Sequence, residues 1–219
     1  MKFKGIIFDL DGTLVNSLED IADSMNKVLM NHGFPIHDID AYKYFIGNGI
    51  KNLVRKTIPD AQRNEALIEE CYKSMTEIYS RNYLNKTKPY HGIKELLSEL
   101  SKLNLKLAVL SNKTDDFTKK IIAKFFPDIN FTDVRGLTNE AYKKPDPKAA
   151  IEIAAEFKLH PDEIVYIGDT SVDMQTAVNA GMYPAGVLWG FREKEELLTH
   201  GAQFILEQPM DLFKLLKQE

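Results

Sequence analysis

Apolar residues recur along this chain with two different spacings, and the order of the spacings predicts an architecture. The run FKGIIFDL, residues 3–10, is short, continuous and rich in β-favouring side chains, the pattern of a strand buried on both faces. From Ser17 the period lengthens. Leu18, Ile21, Met25, Val28 and Leu29 fall at helical intervals, with Ser17 placed to cap the helix and Gly33 to stop it. No strand follows. IGNGIKNLVRKTI and AQRNEALIEECYKSMTEIYSRNYL also carry the helical period, the second long, amphipathic and polar on its outer face. The chain from about residue 16 to 88 therefore reads as all-helical.

The stretch TKPYHG, with Pro89 and Gly92, is a turn signal, and beyond it strands and helices alternate. IKELLSELSKLN reads as a helix, LKLAVLS as a strand, DDFTKKIIAKFF as a helix and FTDVRG as a short strand. DPKAAIEIAAEFKL is the next helix, EIVYIGD the next buried strand, SVDMQTAVNAG a helix closed by Gly181 and PAGVLWG a strand, before a shorter helix, strand and helix. Strands separated by helical segments of this length make βαβ units around a parallel sheet. The first strand belongs with this second half. The expected fold is α/β, with a Rossmann-like parallel sheet built from residues 1–15 and 90–219 and an all-helical domain inserted at 16–89.

Composition changes this picture mainly by exclusion. The chain has 28 basic and 32 acidic residues and a net charge of -4, which gives no electrostatic footprint for nucleic acid. No apolar run approaches the roughly 18–20 residues needed to span a bilayer, and the opening MKFKGIIFD is too short for a signal peptide, so no membrane is expected and the cytoplasm is the expected location. The single cysteine, Cys71, cannot form an intramolecular disulfide or build a thiolate metal site, and it reads as a small apolar residue in a helix.

In a parallel sheet, ligands gather beyond the carboxyl ends of the strands, where loops and helix N-termini converge. The first strand ends in Asp9 and leads to Asp11, LKLAVLS ends in Ser111, and EIVYIGD ends in Asp169 with Asp173 one helical turn on. Lys144 precedes a proline at the mouth of a helix. Each has an innocent reading: DG makes turns, Ser111 or Thr114 can cap a helix, and a lysine beside proline is an ordinary loop residue. Together they place groups suited to phosphate chemistry at the ends of three strands. A calcium loop starting at Asp9 fails on spacing, since its fifth position is Thr13, its sixth Leu14 and its twelfth Asp20. A GxxxxGK[ST] phosphate loop is absent, and IGNGIKNL is only a faint glycine echo.

Asp9-Leu10-Asp11-Gly12-Thr13-Leu14, Ser111-Asn112, Lys144-Pro145 and Gly168-Asp169-Thr170-Ser171-Val172-Asp173 resemble, in order, the four motifs of the haloacid dehalogenase superfamily. Within it, DGTLVNS, TKPYHG, KKPDP, IGDTSVDMQTAVNAG and VLWGF are similar to the phosphoglycolate phosphatase-like group, and the helical insertion resembles its first-position cap. The resemblance implies a phosphoric monoester hydrolase with Asp9 as nucleophile, forming an aspartyl phosphate. Asp11 would be the general acid and then the base. Lys144 would offset phosphoryl charge and orient Asp9, while Ser111 and the backbone N–H of Asn112 would hold phosphate oxygens. Gly12 would let the backbone approach closely. Four carboxylates and an anionic substrate cannot share a crevice without a cation, and oxygen-only ligands with a phosphate partner favour Mg2+. The implied ligands are the Asp9 side chain, the Asp11 carbonyl and Asp169, with Asp173 binding through water or supporting Lys144.

The helical insertion would select the substrate by closing over the core. Gly47, Gly49, Lys51, Arg55 and Lys56 are its candidate specificity residues, since a glycine turn with nearby cations suits a small anion; the competing reading is a helix start with a solvated basic face. The partner implied is a small-molecule phosphate ester, phosphoglycolate first, with monomer and homodimer both open. Alternatives are a phosphomutase of the beta-phosphoglucomutase type, a pyrophosphatase or nucleotidase of the same superfamily, or a receiver-like phospho-aspartate signalling module. GTLVNS leans away from the mutases. The last alternative would lack Asp11 as proton donor and would not need the helical insertion.

Overall fold

The computed structural model describes residues 2–217 of the 219-residue chain. Its elements run β1 (Gly5–Phe8), β2 (Val15–Asn16), α1 (Leu18–Asn31), α2 (Ile39–Phe45), α3 (Gly49–Thr57), α4 (Glu65–Asn82) and β3 (Lys88–Pro89). They continue as α5 (Ile93–Leu100), β4 (Lys106–Thr114), α6 (Asp115–Phe125), β5 (Asp133–Leu137), α7 (Lys148–Phe157), β6 (Ile164–Gly168), α8 (Ser171–Asn179), β7 (Tyr183–Val187), α9 (Lys194–Thr199), β8 (Phe204–Leu206) and α10 (Leu212–Leu216). The chain divides into two compact units, one leaving off at Val15 and resuming at Pro89, the other Asn16–Lys88.

Among the described residues, the first unit holds a six-stranded parallel sheet in the order β5-β4-β1-β6-β7-β8, which is the expected α/β fold. β1 lies between β4 and β6, with Gly5 level with both Lys106 and Ile164. Ile6, Ile7 and Phe8 are buried, which is why this strand reads as a continuous apolar run rather than an alternating one. Gly5 is small for a packing reason: a Cβ there would meet the Phe157 ring at 2.8 Å. One side of the sheet packs Ala149, Ala150, Ile153, Ala154 and Phe157 of α7 against Ile7, Ala108 and Tyr166. The strand order reverses at β1, with β4 on one side and β6 on the other, so the crevice for a ligand lies beyond the carboxyl ends of these three strands.

The second unit is helical, as its spacing predicts. Met25, Val28, Leu29, Leu53, Val54, Ile68, Cys71, Met75 and Tyr79 form its buried side, so Cys71 serves as an apolar filler. Asp20 is buried and accepts from the backbone N–H groups of Lys86 and Thr87 and from Thr87 Oγ1, which fastens the end of the unit to α1. Among the described residues no helix is long and apolar enough to cross a membrane.

Two local expectations change. Ser17 occupies the N-cap position of α1 but its side chain makes no cap hydrogen bond; Asn16 Oδ1 instead accepts from Leu18 N at 3.2 Å, so the capping oxygen comes one residue earlier. The long helix read from Ala61 begins only at Glu65, because Asn64 Oδ1 accepts from Leu67 N at 3.0 Å and caps it, with Asp60–Gln62 forming a separate short turn of 3-10 helix.

Candidate active site

β1 delivers Asp9 at its end, β4 delivers Ser111, Asn112 and Lys113 in its last turns of extended chain, and β6 is followed by Asp169. β4 runs past Leu110 to Thr114 with a bulge in its pairing to β5, so these polar residues are on strand rather than on a free loop. Asp9, Asp169 and Asp173 are all buried, and one carboxylate oxygen from each lies within 4.8 Å of the others. Lys144 reaches them from the start of the α7 segment. Its Nζ is 2.9 Å from Asp9 Oδ1 and 2.6 Å from Asp173 Oδ1, and it donates to the Leu110 carbonyl at 3.1 Å.

The main chain of Lys144 is fixed as firmly as its side chain. Its N–H donates to Asn112 Oδ1 at 2.9 Å while Asn112 Nδ2 donates back to its carbonyl at 3.1 Å. The Asn112 side chain thus belongs to the lysine. Asp173 has two tasks: Oδ1 pairs with Lys144, and Oδ2 accepts from Thr170 N at 3.1 Å and Thr170 Oγ1 at 2.7 Å as the capping box of α8. Asp169 is oriented from two directions, by Thr13 Oγ1 on Oδ1 at 3.1 Å and by Phe191 N on Oδ2 at 2.9 Å.

Burial opposes the charge on each of these groups. Burial, with Asp173 adding repulsion and Lys144 opposing it, pushes the Asp9 carboxyl up to about 7. Asp169 is raised well above the usual carboxylate range by burial and then by Asp173 and Asp9. For Lys144 burial works against the charge, but Asp173 and Asp9 outweigh it and hold the ammonium well above its ordinary value. Three buried carboxylates face one lysine, and Asp9 Oδ1, although 2.9 Å from that lysine, receives no well-directed hydrogen bond. A buried excess of negative charge on oxygen ligands, with one oxygen unsatisfied, fits a hard divalent cation. Asp9 and Asp169 would hold it.

Gly12 follows the nucleophile candidate with φ +86, and a Cβ there would come within 2.2 Å of Asp169 Oδ2. Its smallness serves the approach of Asp169 as well as the left-handed turn. The Asp11 carboxylate lies outside the three-carboxylate cluster and meets Lys113. The candidates in the helical unit are engaged within it: Lys51 pairs with Glu69 at 3.0 Å, Arg55 with Glu65 at 2.9 Å, and Lys56 donates to the Tyr44 carbonyl at 2.9 Å, beside the positive-φ residues Gly47 and Gly49.

Residues 6–187 match the family model of haloacid dehalogenase-like hydrolases. The chain belongs to that family. As a haloacid dehalogenase-like hydrolase it is 32% identical over 215 residues to a phosphoglycolate phosphatase of Aquifex aeolicus, covering 96% of this chain and 95% of the relative. It is 30% identical to a phosphoglycolate phosphatase of Mannheimia succiniciproducens, covering 98% and 99%. Its structure is similar to that of a predicted phosphoglycolate phosphatase from Haemophilus somnus, with a TM-score of 0.90, 28% identity and 99% of each chain covered.

Five residues of this site were given no role by the sequence reading. Thr13 is inside a quoted motif, and its hydroxyl before a buried apolar run was the available signal. Lys113 directly follows Ser111-Asn112, and a lysine ending an apolar strand was the signal for a buried cation. Gly190 and Phe191 stand in VLWGF, which carried the resemblance but gave them no role, because that role is set by proximity across the sheet: a Cβ on Gly190 would lie 2.3 Å from the Asp169 Cβ. Trp189 Nε1 donates to the Thr13 carbonyl at 2.9 Å and closes the same loop over the Asp9–Thr13 turn.

Proposed function

We propose that the protein is a cytoplasmic, Mg2+-dependent phosphatase that hydrolyses small phosphate monoesters, phosphoglycolate first among them, through an aspartyl phosphate on Asp9. The observation that carries the reading is Asp9 itself, a buried carboxylate 2.9 Å from a buried lysine and within 4.8 Å of Asp169 and Asp173, with Asp11 two residues on. Hydrolysis of phosphate monoesters needs on the order of 20 kcal/mol or more of barrier lowering, and splitting the reaction at a covalent intermediate divides that demand. The Asp9 carboxylate attacks phosphorus while Lys144 holds it in place and offsets the charge on the phosphoryl group. Ser111 and the backbone N–H of Asn112 hold phosphoryl oxygens. Asp11 gives its proton to the departing alcohol and afterwards takes one from the water that attacks the phosphoaspartate, so that it ends as it began. Asp9 and Asp169 would hold a divalent ion, which when bound would supply neutralisation of the negative charge on the carboxylates and the phosphoryl group. The relatives named for phosphoglycolate support the substrate class.

The inserted helices select the organic part of the substrate, with Gly47, Gly49, Lys51, Arg55 and Lys56 as the residues that set the preference. A screen of phosphate esters with and without Mg2+ tests both statements. Wild-type protein is expected to release phosphate from small carboxylated or hydroxylated esters only with the metal, and Asp9→Asn to lose at least about 10³-fold in kcat. Release undiminished in Asp9→Asn, or from no ester at all, overturns the assignment. In the same screen, an unaltered ranking of substrates in Lys51→Ala and Arg55→Ala removes the specificity residues.

A further inference from the structure

Lys113 is a buried cation for which the chemistry above has no task. Its side chain is 3% exposed, and its Nζ lies 3.0 Å from both Oδ1 and Oδ2 of Asp11, itself only 12% exposed. The lysine stands on the last residues of β4, and its N–H meets Ser111 Oγ at 3.3 Å, so it is carried by the same stretch of strand that presents the expected phosphate-binding hydroxyl. Lys144, by contrast, is committed to Asp9 and Asp173. The two lysines serve different carboxylates.

A buried ion pair is a poor device for stability, because desolvating both ions offsets most of their attraction. It is a good device for direction. An ammonium held by a neighbouring strand and touching both oxygens fixes where the plane of a carboxyl group points, and the group it fixes is two residues from the nucleophile.

We propose that Lys113 is a positioning residue that aims the Asp11 carboxyl at the leaving-group oxygen. The inference rests on the phosphatase reading. In the first half-reaction an oxygen of Asp9 bonds to phosphorus as the ester P–O bond breaks, and the departing oxygen takes the proton from Asp11, which is left as a carboxylate facing Lys113. A leaving group of high pKa needs that proton, whereas p-nitrophenolate departs nearly as well without it.

The test compares kcat/KM for p-nitrophenyl phosphate and for phosphoglycolate, an alkyl ester, in wild type, Lys113→Met, Lys113→Arg, Asp11→Asn and the Asp11→Asn/Lys113→Met double variant, all with Mg2+. Because kcat/KM reports on steps up to leaving-group departure, hydrolysis of the intermediate does not blur it. Lys113→Met is expected to lose about 10²-fold on the alkyl ester and less than about tenfold on p-nitrophenyl phosphate, a smaller copy of the Asp11→Asn pattern. Lys113→Arg, which can also face both oxygens, recovers part of the loss, and the double variant loses no more than Asp11→Asn alone. Equal losses on the two esters, an unchanged alkyl rate, or additive losses in the double variant overturn the proposal. Should Lys113→Met melt below the assay temperature, Lys113→Gln and Lys113→Arg carry the same comparison. An inactive wild type, or an active Asp9→Asn, strikes the phosphatase reading; an active wild type whose Lys113 variants lose equally on both esters strikes this inference alone.

Discussion

Lys144 answers two buried carboxylates with one ammonium, and that ratio governs what its removal does. Lys144→Met leaves Asp9 and Asp173 buried without their shared cation, at 2.9 and 2.6 Å from where it stood. Breaking a buried pair by removing one partner costs roughly 3–5 kcal/mol. Metal-free Lys144→Met is therefore expected to unfold at a lower urea midpoint by that much in free energy, with unchanged slope, and a loss below about 1 kcal/mol in urea titration argues that solvent already compensates these charges. The residue's chemical type was legible beside Pro145, and it was the family resemblance rather than the spacing that implied its contacts with Asp9 and Asp173. Asp173 is a parallel case: the spacing by itself explains it as a capping box with Thr170, and its contact with Lys144, 29 positions away, was implied only by the resemblance.

At the scale of elements, local rules account for where segments begin and tertiary contacts for how they are tied down. Asp211 shows both. It lies at the junction of a short 3-10 turn with α10, where Lys214 at 2.6 Å and the N–H groups of Gln208 and Glu207 at 3.1 Å hold its carboxyl below the usual aspartate value of 3.8. A carboxyl whose pKa falls on folding adds stability that is fully present above the unfolded value and is lost as the pH drops below about 4. Asp211→Asn is expected to unfold more easily than wild type at pH 7 and to converge with it toward pH 2–3, as followed by urea midpoints across that range. A constant gap at every pH rules the linkage out. Helix periods were readable because each is an average over many side chains; Ser17 does hold the N-cap position of α1, but the accepting oxygen comes from Asn16, because both side chains can accept and only the backbone conformation chooses between them.

Folding brings three buried carboxylates, Asp9, Asp169 and Asp173, together beyond the ends of β1 and β6, although the chain as a whole is only at -4. Any cation that binds the folded carboxylates and not the unfolded chain stabilises by mass action, by about 2.7 kcal/mol at a hundredfold excess over its Kd. For a protein of this size that corresponds to a rise in Tm of roughly 5–10 °C. Thermal melts with Mg2+ against melts with EDTA are expected to show it, and Asp169→Asn to abolish most of it. Equal melts in the two conditions would deny the site a metal. Membership of the hydrolase family, read from four separated motifs, was accessible at this scale before any coordinates, because each motif is a short local pattern and their order along the chain is itself information.

The α/β class, the helical stretch after the first strand and the types of the polar residues closing each strand follow from the sequence alone. Periodicity, turn chemistry and spacing are local properties that survive without a tertiary frame. Which of those polar residues meet was decided only by folding: Lys113 turning to Asp11, Asn112 gripping the main chain of Lys144, and the Trp189–Phe191 loop closing on Thr13 and Asp169. Those pairings join positions up to 176 residues apart. They depend on the order β4-β1-β6 that brings the strand ends together, and the burial and repulsion that shift the carboxylates arise only once that order is made.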